Sequence, residues 1–196
     1  MKKLTSILFI IFIVFSAKAF AANNEIIKRI TEGEESAKIT IIAYESLTCG
    51  HCANFHKDVF PDLKKEFLDT GLAKIEFRHF PLDIAAFNAS KVSQCNNDGD
   101  SRILNSLFAN QQKWVKGSTV NEINENLQKF LTSEGLDIDF EKCINDKEIE
   151  DFVLNDRIDG VKKFKVNATP TIIINNKKFD KSLNYKNLKK ILEKLI

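Results

Sequence analysis

The tetrapeptide Cys49-Gly50-His51-Cys52 sits at the seam between two hydrophobic patterns, and that position constrains the fold more than any other feature of the chain. Before it, Lys38 to Ser46 reads as a strand. Ile39, Ile41 and Ala43 face one way and Thr40, Ile42 and Tyr44 the other, so both faces are largely apolar, as for a strand inside a sheet. After it, Cys52, Phe55, Val59, Leu63 and Phe67 recur at steps of three and four, which predicts a helix from Cys49 to Phe67. Pro61 within that run predicts a kink or a fresh start. Lys74 to Phe80 is a second strand, with Ile75, Phe77 and His79 opposite Lys74, Glu76 and Arg78. Strand, helix and strand at this spacing predict a right-handed crossover and a parallel pair.

Residues 84–165 carry helical patterning and no convincing strand. Helices are expected from Ala85 to Asn96, Asp100 to Val115, Val120 to Leu131, Asp139 to Ile144 and Glu148 to Phe164, with Gly99, Gly117 and Gly135 at the joints. Strand signal returns at Thr171 to Ile174. Asn175-Asn176 then suits a type I′ turn, with Lys177 to Asp180 pairing back as a hairpin. Asn184 to Ile196 closes the chain as a helix. The pattern is therefore β, α, β, an all-helical block, then β, β, α.

A C-x-x-C that follows a strand and opens a helix is a specific redox signal. A cysteine at a helix N-terminus meets unpaired N–H groups and the positive end of the helix dipole, and both favour thiolate over thiol. Cys49 is therefore expected to ionise below the free value of about 8.5 and to be the exposed nucleophile. Cys52, one turn further in, is the expected resolving sulfur. Gly50 and His51 stand between them, and His51 can donate to the thiolate or place positive charge beside it. A stabilised thiolate is a good leaving group and makes the disulfide form oxidising. Two other readings use the same residues. Cys49, Cys52 and His56 share a helical face and could hold zinc with a fourth ligand such as His79, although no second Cys/His pair supports it; alternatively, Cys49 and Cys52 could form a purely structural bridge.

The N-terminus reads as an address. Met1-Lys2-Lys3 is positive, Ile7 to Phe15 is an unbroken apolar run, and Ser16 to Ala21 offers small residues at alternate positions, the layout of a secretory signal peptide over residues 1–21. The run is short of the ~20 residues of a membrane span, so cleavage after Ala21 fits best, with an uncleaved N-terminal anchor as the alternative. Among 196 residues there are 29 basic and 27 acidic side chains, so no basic excess points to nucleic acid. Loss of Lys2, Lys3 and Lys18 with the leader turns the net charge slightly negative. Export permits disulfides, and the four cysteines Cys49, Cys52, Cys95 and Cys143 allow three pairings. The Glu193-Lys194-Leu195-Ile196 end is no ER-retention signal, which tilts the compartment toward a bacterial periplasm or cell surface.

Asn167-Ala168-Thr169-Pro170-Thr171, before the Ile-rich strand, is the second informative site, since proline stops a helix and suits the entrance to a strand. With Cys49-Gly50-His51-Cys52, the helical insertion, and Phe80-Pro81-Leu82-Asp83 after the second strand, the chain resembles the DsbA family of exported thiol–disulfide oxidoreductases, in its alphaproteobacterial-type branch. The resemblance implies an α/β thioredoxin fold, a central mixed β-sheet flanked by helices, split as 22–83 and 166–196 around an inserted helical domain at 84–165. It implies a cis Pro170 beside Cys49, and a Thr169 whose backbone hydrogen-bonds an extended substrate. It further implies reduced exported proteins or peptides as substrates and a membrane quinone-linked protein as reoxidant. A monomer is expected, with no cofactor and no metal. As in some relatives, Cys95 and Cys143 are expected to form a structural disulfide.

Two departures stand out. The family usually has proline where Gly50 stands, and Cys-Gly-His-Cys is also the centre of protein disulfide isomerases, so a disulfide isomerase or reductase of the same fold is the alternative, with an exported chaperone carrying a vestigial C-x-x-C behind it. The family also often places a glutamate six residues before the first cysteine. Here that residue is Ala43, and Glu45 lies two residues on, on the same strand face. Glu45 either serves proton transfer to Cys52 or is an ordinary strand-end charge.

Overall fold

The computed structural model describes residues 27–136 and 138–196. The signal-peptide expectation for residues 1–21 lies outside them. Five strands form one mixed sheet: β1 (Thr31–Gly33), β2 (Ile39–Glu45), β3 (Ala73–His79), β4 (Thr171–Ile174) and β5 (Lys177–Lys178), in the order β1-β3-β2-β4-β5. β2 and β3 run parallel, with Ile41 opposite Ile75 and Glu45 opposite His79. β4 lies antiparallel on the other side of β2, with Ala43 opposite Ile172. β2 is thus central, and its alternation feeds two cores. Ile39, Ile41 and Ala43 join the main cluster, whereas Tyr44 packs with Phe80, Val166 and Ile173.

The crossover from β2 to β3 is helical but not one helix. α1 (Gly50–Asp58) ends at Val59, whose φ of −122° breaks the helical path, and α2 (Phe60–Leu63) restarts with Pro61 in its first turn. Proline is accepted there because its missing N–H has no partner to lose. A π-helical turn (Lys64–Leu68) follows. The apolar stripe keeps its inward face across these breaks: Phe55, Val59, Leu63 and Phe67 are all buried.

Between β3 and β4 lie α3 (Ile84–Gln94), α4 (Arg102–Ala109), α5 (Gln111–Trp114), α6 (Val120–Ser133), α7 (Phe140–Asn145) and α8 (Lys147–Phe164). The expected Asp100–Val115 helix is divided at Asn110, which turns the chain so that Trp114 enters the core and donates its indole N–H to the Leu107 carbonyl at 2.9 Å. α6 opens with a capping box between Thr119 and Glu122, which satisfies two otherwise orphaned backbone donors. Cys95 and Cys143 are joined by a disulfide that ties the end of α3 to α7 across 48 residues of sequence. Lys91 reinforces the same junction, its buried ammonium reaching the Ile144 carbonyl and Glu150.

α8 returns to the sheet through Asp156, which is 1% exposed. Its carboxylate accepts from Arg29 at 2.6 Å, Arg78 at 3.3 Å and the His79 backbone N–H at 3.1 Å. Gly160 lies against the Tyr44 ring so closely that a Cβ there would sit 2.8 Å from Tyr44 Cε1. The β4–β5 hairpin turns on Asn175 and Asn176, both at positive φ, as a type I′ turn requires. α9 (Tyr185–Leu192) closes the chain, burying Leu188 and Leu192.

Candidate active site

The site lies where β2 ends. Glu45 is the last strand residue, and Ser46 to Thr48 make the turn that delivers Cys49 to the N-cap of α1. The Cys49 N–H donates to the Ser46 carbonyl at 3.0 Å, and the Cys49 carbonyl accepts from Cys52 and Ala53, both at 3.1 Å. Two contacts from the helical segment brace this turn. Gln111 Nε2 donates to the carbonyls of Leu47 (2.8 Å) and Cys49 (3.2 Å). Thr48 donates to Asp83 Oδ2 at 2.7 Å, while Asp83 Oδ1 caps α3 by accepting from the Ala86 N–H. The active-site turn is therefore held from outside its own sequence.

Cys49 is half-buried and Cys52 fully buried, and both are free thiols. The peptide Thr169–Pro170 is cis, and the Cys49 thiol lies 3.4 Å from the Thr169 carbonyl oxygen. The Cys49 thiol is brought down to about 5, chiefly by the hydrogen bond from the Cys52 side chain, then by Thr169 and the backbone N–H groups of Cys52 and His51, against the opposing effect of burial. The Cys52 thiol is pushed far up by burial, by its bond to Cys49 and by the charge of Glu45. One sulfur is thus a thiolate at neutral pH and its neighbour holds its proton. The His51 imidazole is exposed, and this residue reaches the sulfur through its backbone N–H. Gly50 is exposed too, and a Cβ placed on it would meet nothing within 4 Å.

Glu45 is only 4% exposed. One carboxylate oxygen, Oε2, lies 2.9 Å from His56 Nε2, and the other has no partner among the described residues. The His56 ring stacks on Phe108, with centroids 4.1 Å apart, and lies over Phe77 at 5.5 Å. Its pairing with Glu45 is what sequence reasoning missed. The two are 11 residues apart in different elements; the only signal was two polar groups on otherwise apolar faces. His79 does not join them. It is buried among α3 and α8 side chains, with Nε2 3.3 Å from Gln94 Oε1. Among the described residues no group of His, Cys, Asp and Glu gathers as a metal site.

Two grooves flank α1. The larger, about 1030 Å³, runs between α1–α2 and the α4–α5 corner and begins at Gly50 and His51. The smaller, about 580 Å³, lies on the other side, between α1, Thr169–Pro170 and the start of α9. Among the described residues no helix is long and apolar enough to cross a membrane.

A dithiol at a strand–helix junction, facing a cis-proline loop on a mixed sheet, defines a thioredoxin-fold thiol–disulfide site. The chain matches the family described as Thioredoxin over residues 25–194 and belongs to it. It is 31% identical to Wolbachia pipientis alpha-DsbA1, with a TM-score of 0.76 over 85% of this chain and 90% of that one, which places it among the DsbA-type members. BdbD from Bacillus subtilis shares the fold at a TM-score of 0.70 and 23% identity, over 85% of this chain and 92% of that one. By sequence the chain is 26% identical over 172 residues to the disulfide bond formation protein D of Bacillus subtilis, covering 83% of this chain and 74% of that one. A Rickettsia bellii relative is 27% identical over 147 residues, 73% of this chain and 55% of the relative. The chain thus spans about half the length of the curated Rickettsia relatives it matches.

Proposed function

We propose that the chain is an exported thiol–disulfide oxidoreductase that introduces disulfides into newly translocated proteins. The observation that carries this is the asymmetry of the two sulfurs. Cys49 is reachable and brought down to about 5, while Cys52 is buried and pushed up. In the reaction, a substrate thiolate attacks Cys49 Sγ of the Cys49–Cys52 disulfide. The S–S bond breaks, its electron pair goes to Cys52 Sγ, and Cys52 takes up a proton. A second substrate thiolate then attacks the substrate sulfur of the mixed disulfide and expels Cys49 as a stable thiolate. Of the two protons from the substrate dithiol, one ends on Cys52 and the other is released. The substrate is oxidised and the enzyme reduced by the same two electrons. Because the low value of Cys49 stabilises the reduced enzyme, the disulfide form is a good oxidant.

In this reading Thr169 and Pro170 line the substrate groove, with the substrate segment laid beside Thr169 as an added strand. Gly50 and His51 tune Cys49, and Glu45 serves the proton needed at Cys52. Residues 84–165 form an inserted helical domain between the two parts of the thioredoxin domain, stapled by Cys95–Cys143. Residues 1–21 act as a cleaved signal peptide, the enzyme works in the periplasm as a monomer, and a membrane quinone-linked protein reoxidises it. The test is catalysed oxidation of reduced ribonuclease. Activity that vanishes in Cys49→Ser supports the enzyme reading. Activity that persists in that variant defeats it and leaves a chaperone.

A further inference from the structure

α1 separates two grooves of unlike charge. Lys57 lines the larger and Asp58 the smaller, on opposite flanks of the same helix. No aspartate or glutamate lines the larger groove. Its floor is apolar, underlain by the largely buried rings of Phe60 and Phe108, and its walls carry amides. One of them, Asn105, is held by its Nδ2 donating to Glu32 Oε1 at 2.9 Å. Of the two lysines, Lys64 already pairs with Glu32 at 2.7 Å and Asp69 at 3.1 Å. Lys57 is exposed and forms none of the ion pairs found among the described residues. The acids nearest the floor are committed elsewhere: Glu45 to His56 and Glu32 to Lys64.

We propose that this groove binds the stretch of a substrate protein flanking its reacting cysteine, and that Lys57 selects stretches carrying an aspartate or glutamate beside an apolar residue. The inference rests on the redox reading above and names the substrates it favours. The helix sets the register. Lys57 is eight residues beyond Cys49, about 12 Å along a helix of ~1.5 Å rise, and an extended chain covers that distance in roughly four residues at ~3.3 Å each. The acid therefore falls three or four residues from the cysteine. The apolar neighbour settles over the apolar floor above Phe60 and Phe108. On the other flank, Asp58 repels the same acid, so the charge also fixes which way the chain crosses Cys49.

The test uses cysteine-pair peptides that differ only in a Glu or a Lys three or four residues from the reacting cysteine, on either side. Their oxidation by the full protein is followed as kcat/KM at low ionic strength. At the favoured side, Glu is expected to exceed Lys by up to about fivefold, the upper end of one exposed ion pair. The preference is expected to shrink toward unity in Lys57→Gln and to reverse in Lys57→Glu. Equal rates for both peptides, or a Glu preference unchanged in both variants, overturn the proposal. Oxidation of a small dithiol such as dithiothreitol by the unaltered protein reads the redox chemistry separately. Its absence strikes the proposed function, whereas turnover without discrimination strikes only the groove.

Discussion

Glu45 Oε2 and His56 Nε2 face each other across 2.9 Å beneath the C-x-x-C, with side-chain exposures of 3% and 6%. A buried carboxyl group that loses its hydrogen-bond partner bears the desolvation cost alone, roughly 1–3 kcal/mol or more. His56→Leu is therefore expected to lower the unfolding free energy by about that amount in urea titrations. Glu45→Leu in the same background is expected to recover most of it. A double variant no more stable than His56→Leu would mean that the pair does not hold this layer together.

The lowered value of Cys49 carries a sign for stability. Its thiol falls from the ordinary thiol range to about 5 in the fold. A depressed acid stabilises the folded state fully above its unfolded value, and the benefit fades as pH falls through its folded value. The reduced protein is thus expected to gain Tm over its Cys49→Ala variant between pH 5 and pH 9, with little difference below pH 5. A Tm gap that is flat across this range contradicts the assignment.

The disulfide between Cys95 and Cys143 closes a 48-residue loop far from the reactive pair in sequence. By chain entropy such a loop contributes roughly 4 kcal/mol. Cys95→Ala with Cys143→Ala is expected to lose up to that much stability in denaturant, while the Cys49 thiol ionises as before. Loss of the low Cys49 value in this variant would show that the staple also shapes the active site.

Two glycines make a contrast. Gly50 opens α1 and has open space around it, and proline is well suited to a first helical position. Gly50→Pro is expected to keep the stability or raise it by on the order of 0.5 kcal/mol, seen as an unchanged or higher Tm. Gly160 meets the Tyr44 ring, so Gly160→Ala is expected to cost about 1–3 kcal/mol by overpacking. Thermal unfolding of both variants checks the pair, and a destabilised Gly50→Pro beside a neutral Gly160→Ala would contradict it.

The parts of the fold that were legible are those written in local periodicity. β2, β3 and the inward stripe of α1 and α2 each bury a regular set of side chains, and the Asn175-Asn176 turn declares its positive φ. β1 was not legible: Thr31–Gly33 is three residues long and polar, and it exists because β3 offers an edge, with Glu32 opposite Ile75. The break at Asn110 was hidden because the apolar pattern runs through it. In the site, the C-x-x-C and Thr169-Pro170 stood out by spacing. Gln111 did not, and His56 stood out only as a candidate metal ligand, because each acts through a partner in another element: Gln111 on the Leu47 and Cys49 carbonyls, His56 on Glu45. Such pairings are set by the tertiary fold, and no short window of sequence contains both halves.

The account depends on Cys49 being a thiolate at neutral pH while Cys52 keeps its proton. Thiolate absorbance near 240 nm, titrated on the reduced protein with the oxidised protein as blank, measures this directly. The account predicts one thiolate appearing near pH 5, absent in Cys49→Ser, and no second thiolate from Cys52 up to pH 9. A first ionisation at about 8.5, the value of a free cysteine, would contradict it.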